Sequence, residues 1–374
     1  MKFVIATQEL NELINKIQNV VSLKPPLPIL SNFLLEAYND ELVLTATDMT
    51  VGIRCFAEAQ ILEEGATTLP VKTFAGLIRE LSAPTVQIST NSNHITTLVS
   101  GTSRFKINGM SKDDYPALPD LENAFSFTIK QDLLKDLLYR TSFALSKDDN
   151  RYALTGALMD IANATVTFVG TNGKKLARAF APLEIDPAIH SRSIIPAKAV
   201  DEFIKNLTEV SDVKLFIMND KIALEANKTL ILSLLLTGEY PDISRLIPEK
   251  TETILNLHRE ELVTMLRQIS LFRPDSNHSV RFVFQNGELQ ISANTSDIGE
   301  GQVAMPVNFQ GDKLEVAFNP GYFLDILRHC KGETVSLGII DSYNPGIIVD
   351  SEQLDRTADA SPLFLIMPMR LSED

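Results

Sequence analysis

Tryptophan is absent from the 374 residues, and Tyr and Phe supply the whole 7% aromatic content. That scarcity argues against base-stacking platforms for single strands and against carbohydrate-stacking surfaces. Only two cysteines occur, Cys55 and Cys330; they cannot make a disulfide framework and read as reduced intracellular thiols. Long apolar runs are missing too. The longest, Leu230-Ile-Leu-Ser-Leu-Leu-Leu236, falls far short of the roughly 20 residues that span a bilayer. Met1-Lys2-Phe3-Val4-Ile5 runs straight into Gln8, Glu9 and Glu12, unlike a secretory leader. A cytoplasmic protein with no membrane partner is expected. Positive charge is also in deficit, 34 Lys+Arg against 48 Asp+Glu for a net −14. Coating nucleic acid by bulk charge is thereby disfavoured, although positive charge gathered on one surface is still allowed. What remains is ordinary globular composition, 44% hydrophobic and 22% charged, with enough apolar side chain to offset the entropy of ordering. The length predicts two to four domains.

The same offsets recur three times along the chain. Phe3-Val-Ile5 is followed by Leu10, Leu13, Ile14 and Ile17; Phe127 and Ile129 by Leu134, Leu137, Leu138 and Thr141; Leu255 and Leu257 by Leu262, Met265, Leu266 and Ile269. Each set reads as a short strand leading into a helix with one buried face. Pro70, Pro196 and Pro320 each precede a second helical stripe, where a fixed φ and a missing donor suit a helix start. Leu42–Asp48, Val166–Asn172 and, more weakly, Leu289–Asn294 read as strands entering hairpins. Tyr115-Pro116 and Tyr240-Pro241 close the first two units. Four sets in one register indicate a triplication.

Each unit therefore holds two helices among many short strands, with turn signals at Asn39-Asp40, Asn91-Ser92-Asn93, Asn219-Asp220 and Asn286-Gly287. The fold expected is α+β, three tandem domains of two helices packed on antiparallel sheet, with boundaries at 1–121, 122–249 and 250–374. Helices are predicted over 8–24, 72–81, 131–147, 198–209, 258–273 and 319–331. These windows carry 14 Lys+Arg against 11 Asp+Glu, net +3, which leaves −17 elsewhere. Ordinary solvated helix faces explain this equally well as six helices turned toward one polyanion.

Catalytic chemistry is not visible. His94, His190, His258, His278 and His329 never stand at i, i+3 or i, i+4, and neither cysteine has a neighbouring ligand. There is no P-loop and no Gly-x-Ser-x-Gly elbow; Gly170-Thr-Asn-Gly173 reads as hairpin-turn chemistry. Neither metal nor cofactor is expected. Carboxylates are plentiful but none is singled out, so a multi-domain hydrolase stays open as an alternative, as does a protein-binding repeat scaffold that never meets DNA. Pro362–Leu371, dense in apolar residues with Met367 and Met369 flanking Pro368, reads either as a last core strand or as a soft pocket wall for a peptide.

Met367-Pro-Met-Arg-Leu371, Leu27-Pro-Ile-Leu30, Thr45-Ala-Thr-Asp48 and Tyr240-Pro241-Asp242 occur in that order. With the triplication and the length, the chain resembles the bacterial β sliding clamps, processivity subunits of DNA polymerase III, over essentially its whole extent. The resemblance implies a non-enzymatic head-to-tail homodimer whose six domains close a ring, helices lining the hole. Twelve helices at ~10 Å spacing give a circle ~38 Å across and an opening of ~28 Å, wider than a duplex of roughly 20 Å. Loose phosphate contacts then permit sliding. Lys24, Lys72, Arg79, Lys135, Arg140, Lys198, Lys205, Arg267 and Arg328 would face the double-stranded DNA.

By the same resemblance, the polymerase III catalytic subunit, the clamp loader and repair polymerases dock through short linear motifs with a Gln and a Leu-Phe-like end. The cleft implied for them lies between the second and third domains. One wall is Leu154, Thr171, Gly173, Lys175 and Leu176; Pro241, Arg245 and Leu246 form another; Leu365, Met367, Pro368, Met369 and Arg370 form the last. The ring joint would pair Phe105 and Ile107 with Leu271 and Phe272. Three features depart from the family pattern. Thr171-Asn-Gly-Lys-Lys-Leu-Ala177 replaces Thr-Asp-Gly-His-Arg-Leu-Ala, Ala153 stands in place of an aromatic, and Ser372-Glu-Asp374 extends the end.

Overall fold

The computed structural model describes residues 1–22, 25–121, 124–208, 210–248, 253–272, 278–295, 298–350 and 360–370. The first repeat comprises β1 (Lys2–Ala6), α1 (Thr7–Ile17), β2 (Asn32–Tyr38), β3 (Glu41–Thr47), β4 (Val51–Glu58), β5 (Gln60–Glu63), β6 (Gly65–Pro70), α2 (Val71–Arg79), β7 (Thr85–Thr90), β8 (Ile95–Ser100) and β9 (Ser103–Asn108). The second runs β10 (Phe125–Lys130), α3 (Gln131–Ser142), β11 (Gly156–Ala162), β12 (Thr165–Thr171), β13 (Lys175–Pro182), β14 (Ser191–Pro196), α4 (Ala197–Asn206), β15 (Asp212–Ile217), β16 (Lys221–Ala226) and β17 (Thr229–Leu234). The third runs β18 (Thr253–His258), α5 (Arg259–Ile269), β19 (Val280–Gln285), β20 (Glu288–Thr295), β21 (Gly299–Pro306), β22 (Leu314–Phe318), α6 (Pro320–Arg328), β23 (Thr334–Ile339), β24 (Gly346–Val349) and β25 (Leu363–Ile366). Apart from β5 the order of elements is the same each time.

Every predicted helix is present, and each stops short of its predicted C-terminal end. Apolar spacing outlasts the helical backbone: Val20 is fully buried, yet α1 ends at Ile17. In α3 the Thr141 hydroxyl bonds back to the Leu137 and Leu138 carbonyls, and short i+3 turns follow at Ala144 and Leu145. Proline also works in two ways. Pro320 is the first residue of α6, whereas Pro70 and Pro196 end the strands immediately before their helices.

One hairpin is common to all three repeats. Asn39-Asp40 and Asn286-Gly287 both carry positive φ, and so does Asn163-Ala164 between β11 and β12. Two successive positive φ values give the twist a tight antiparallel hairpin needs.

Among the described residues the strands form four antiparallel sheets, ordered β5-β1-β7-β8-β9, β10-β15-β16-β17-β4-β3-β2-β6, β14-β11-β12-β13-β25-β24-β23-β18 and β21-β20-β19-β22. Each eight-stranded sheet joins two repeats through the same kind of contact, β4 with β17 in one and β13 with β25 in the other. Compactness follows these joined sheets. One unit is Met1–Lys135 with Lys198–Leu235, the other Asp136–Ala197 with Leu236–Asp374. The second unit's core gathers Leu262, Leu266 and Ile269 of α5, Phe282 and Phe284 of β19, and Phe323 and Leu327 of α6. His258 caps α5, its ring nitrogen accepting from the Glu261 amide, and Asn319 caps α6 by accepting from Gly321.

Candidate peptide cleft and candidate DNA and subunit contacts

The tip of the β12–β13 hairpin is built by its polar side chains. The Asn172 side-chain oxygen accepts from the amides of Lys174 and Lys175, both at 2.9 Å. The Thr171 hydroxyl donates to the Lys175 carbonyl at 2.8 Å and accepts from the Gly173 amide. Gly173 sits at φ +81°, and a Cβ there would strike Arg151, whose guanidinium donates to the Asn172 carbonyl at 3.0 Å. The β3–β4 hairpin repeats the arrangement, with Asp48 accepting from Thr50 and Val51 and Thr47 bonding Val51 and Met49. An Asn amide oxygen thus does in one hairpin the turn-forming work that the Asp48 carboxylate does in the other, without its charge.

That turn fixes which residues of β13 face which way. Leu176 lies directly opposite Leu365 of β25. Both belong to a buried apolar cluster with Leu158, Val169, Ile194, Tyr240, Ile347, Val349 and Leu363. The partly exposed Ala153, Leu154, Leu236, Ile243 and Ile247 pack against its rim. Tyr240 is anchored by its hydroxyl, which donates to the Val169 carbonyl at 3.2 Å; burial pushes that phenol's pKa up. Past β25 the chain is held by two backbone bonds, Met367 N–H to the Lys174 carbonyl and Met369 N–H to the Ala317 carbonyl. Met367, Pro368 and Met369 stay half-buried and Arg370 exposed. Pro241, Arg245 and Leu246 are exposed, and Arg245 lies 3.5 Å from the Asp242 carboxylate.

Lys175 departs from its expected place. Successive strand residues point to opposite faces, so Lys175 turns away from Leu176. Its ammonium, on a residue only 6% exposed, meets the Asp325 carboxylate at 2.7 Å and stands over the Phe143 and Tyr322 rings. It braces the back of the sheet and does not line the cleft. Sequence reading also missed Ile243, Ile247, Ile347 and Val349. For the last two the short continuous apolar run Ile347-Ile-Val349 was an available signal.

Among the basic residues, Lys72, Arg79, Lys135, Arg267 and Arg328 are exposed. Arg328 approaches Asp325, Lys205 bonds Glu202, and the half-exposed Lys198 bonds Asp48 and the Val20 carbonyl. Lys24 falls outside the described residues, as does the Ser372–Asp374 extension. Arg140 corrects the expectation. It is 6% exposed, its guanidinium held by Asp136 at 2.9 Å, Asp350 at 2.7 Å and the His329 carbonyl at 3.2 Å, so it has no free face for phosphate.

Strand β9 ends its sheet, presenting exposed Arg104, Phe105 and Lys106 beside buried Ile107. Separately, β21 ends the four-stranded sheet. Leu271 is 72% exposed, and the Phe272 ring lies against Gly301 of β21 so closely that a Cβ there would clash. Among the described residues, no group of three or more His, Cys, Asp or Glu side chains is placed to hold a metal ion, and no helix is long and apolar enough to cross a membrane.

Comparison with known proteins covers nearly the whole chain. Models of the DNA polymerase III beta subunit match in order: the N-terminal domain at 1–119, the central domain at 128–242 and the C-terminal domain at 244–370. The beta sliding clamp of Chlamydia pneumoniae is 49% identical over 374 residues, covering all of both chains. That of Proteus mirabilis is 30% identical, covering 99% of this chain and all of its own. Among solved structures, the Bacillus subtilis polymerase sliding clamp superposes with a TM-score of 0.92 at 28% identity, covering 99% of each chain. A Pseudomonas aeruginosa clamp bound to griselimycin gives 0.94 at 27%, covering 99% of this chain and all of the other.

Proposed function

The chain belongs to the DNA polymerase III beta subunit family, the sliding clamps, and on that premise we propose that it closes as a head-to-tail homodimer around duplex DNA. It is a DNA sliding clamp of replication, a non-catalytic processivity factor built of three clamp domains. The hydrolase reading has no support among these relatives. Domain boundaries at 1–121, 122–249 and 250–374, and a cytoplasmic place of work, belong to the proposal.

The observation that carries the closure is the pair of sheet edges left over. Repeat by repeat, β4, β13 and β21 are equivalent, as are β9, β17 and β25. Two of the three possible pairings, β4·β17 and β13·β25, are made within the chain. The third, β21 with β9, is not among the pairings of the described residues, so a second copy can complete it at both ends, burying edges that would otherwise template aggregation. The internal registers set the expected alignment. Gly52 opposes Leu232 and Leu176 opposes Leu365; carried to the third joint, Glu300 opposes Lys106 and Gly301 opposes Phe105. Phe105 would then land where the Phe272 ring covers Gly301.

DNA would be held by enclosure, with Lys24, Lys72, Arg79, Lys135, Lys198, Lys205, Arg267 and Arg328 making loose phosphate contacts. The apolar cluster around Leu176, Leu365 and Tyr240, rimmed by Leu154, Ile243, Ile247 and Met367, is the proposed cleft for the polymerase catalytic subunit, the clamp loader and repair polymerases. Their short motifs would place apolar anchors there. Loading the protein on nicked circular plasmid and then linearising it tests enclosure directly. Release by sliding off the ends is expected; retention on blunt linear DNA would overturn it.

A further inference from the structure

Repeat equivalence allows the two internal joints to be compared position by position. Gly52 and Leu176 follow the same hairpin turn and oppose Leu232 and Leu365 in matching ladders. The flanking backbone bonds match as well, Leu234 N–H to the Thr50 carbonyl and Met367 N–H to the Lys174 carbonyl, both 2.9 Å. Tyr115 and Tyr240 end the two repeats, each with a buried hydroxyl donating to a backbone carbonyl of its own repeat at 3.2 Å. Three residues beyond each tyrosine stand Leu118 and Ile243.

The joints differ in what fills the space above the strand. At the second, the Leu176 side chain forms the floor and Leu154 at the rim stays partly exposed. At the first, the floor residue has no side chain, and a Cβ built on Gly52 would run into the Cδ2 of Leu118. Leu30, the counterpart of Leu154, is completely buried there in a cluster with Ile29 and Tyr115. We propose that Leu118, carried by the segment linking the first two domains, occupies the first joint's copy of the peptide pocket as a built-in ligand. The site is therefore closed to partners, and its latent specificity is for the same apolar-ended peptides. A leucine entering from outside onto bare backbone is the geometry of an anchor in a pocket. The proposal rests on the reading of the second joint as the peptide cleft.

Calorimetric titration with a synthetic peptide carrying a Gln and ending in Leu-Phe separates the two readings. Wild-type protein is expected to bind one peptide per protomer and Leu118→Ala two. Leu176→Ala with Met367→Ala should bind none, and adding Leu118→Ala to that pair should restore one. A wild type that binds one peptide while Leu118→Ala still binds one overturns the plug and leaves the cleft standing. A wild type that binds none overturns both. Should Leu118→Ala not fold, Gly52→Ala serves, because its methyl group must displace the Leu118 side chain. Faster amide hydrogen exchange across 117–121 is expected, and unchanged exchange would overturn the assignment.

Discussion

Arg140 shows how far a single residue's role depends on a partner that local sequence cannot reveal. Asp350, its main acceptor, lies 210 positions away. Burial raises the Asp350 pKa, but the Arg140 hydrogen bond and the amides of Lys331 and Gly332 outweigh it, and the carboxyl titrates below its ordinary value. A carboxyl depressed in the folded state adds stability above its unfolded pKa of about 4, and that stability is lost as pH falls through the folded value. Arg140→Ala leaves this carboxylate buried with its two amide donors but without its counter-charge, so a loss of about 3 kcal/mol at pH 7 is expected. Urea unfolding of the variant and wild type at pH 7 and pH 3 checks it, and the difference should shrink at the lower pH. The two thiols give a second test at this scale. Burial pushes both Cys55 and Cys330 up to about 12. Neither should react with a thiol reagent at pH 8 until the protein unfolds, and rapid native labelling would contradict the placement.

At the scale of elements, the triplicated strand-helix and hairpin pattern was legible because it is written in local periodicity and turn chemistry. Leu10, Leu13, Ile14 and Ile17 lie on one buried face of α1 as their spacing requires. What periodicity could not supply was parity. Whether Lys175 or Leu176 faces the cleft depends on where the Asn172 turn ends, and a shift of one residue reverses every side chain. Helix ends were equally hidden, because Val20 continues the apolar stripe of α1 on non-helical backbone. Family resemblance named Leu154, Leu176 and Leu365 of the apolar cluster, yet Ile243 and Ile247 came only from packing. The ladder opposing Leu176 to Leu365 predicts which substitutions separate binding from folding. Met367 is half-buried and held by its backbone, so Met367→Ala should leave thermal unfolding nearly unchanged. Loss of its contact with a buried peptide anchor, at ~2 kcal/mol, would still weaken a Leu-Phe-ended peptide roughly 30-fold. Leu176→Ala removes a core leucine and should lower both affinity and stability, the latter by about 2–3 kcal/mol. Unchanged peptide affinity in both variants would place the cleft elsewhere.

At the scale of the whole molecule, one strand position has been given three chemistries. Gly52 receives a leucine from its own chain, Leu176 forms an apolar floor, and Glu300 puts an exposed carboxylate at an unpaired edge. Leu232 and Leu365 oppose the first two, and in the proposed dimer Lys106 would oppose the third. An exposed ion pair at that proposed joint would add specificity while contributing only about 0.5–1 kcal/mol. The aligned pair can be tested by reversal. Lys106→Glu sets two carboxylates against each other at both interfaces of a closed dimer, and at ~1 kcal/mol per interface the dissociation constant should rise roughly 30-fold at low salt. Glu300→Lys alone should act similarly, and the two together should restore most of the wild-type constant, with the defect shrinking as salt screens it. Sedimentation equilibrium measures all four proteins. If the double reversal is no tighter than either single change, Lys106 and Glu300 do not face each other, and the register transferred from the internal joints is wrong.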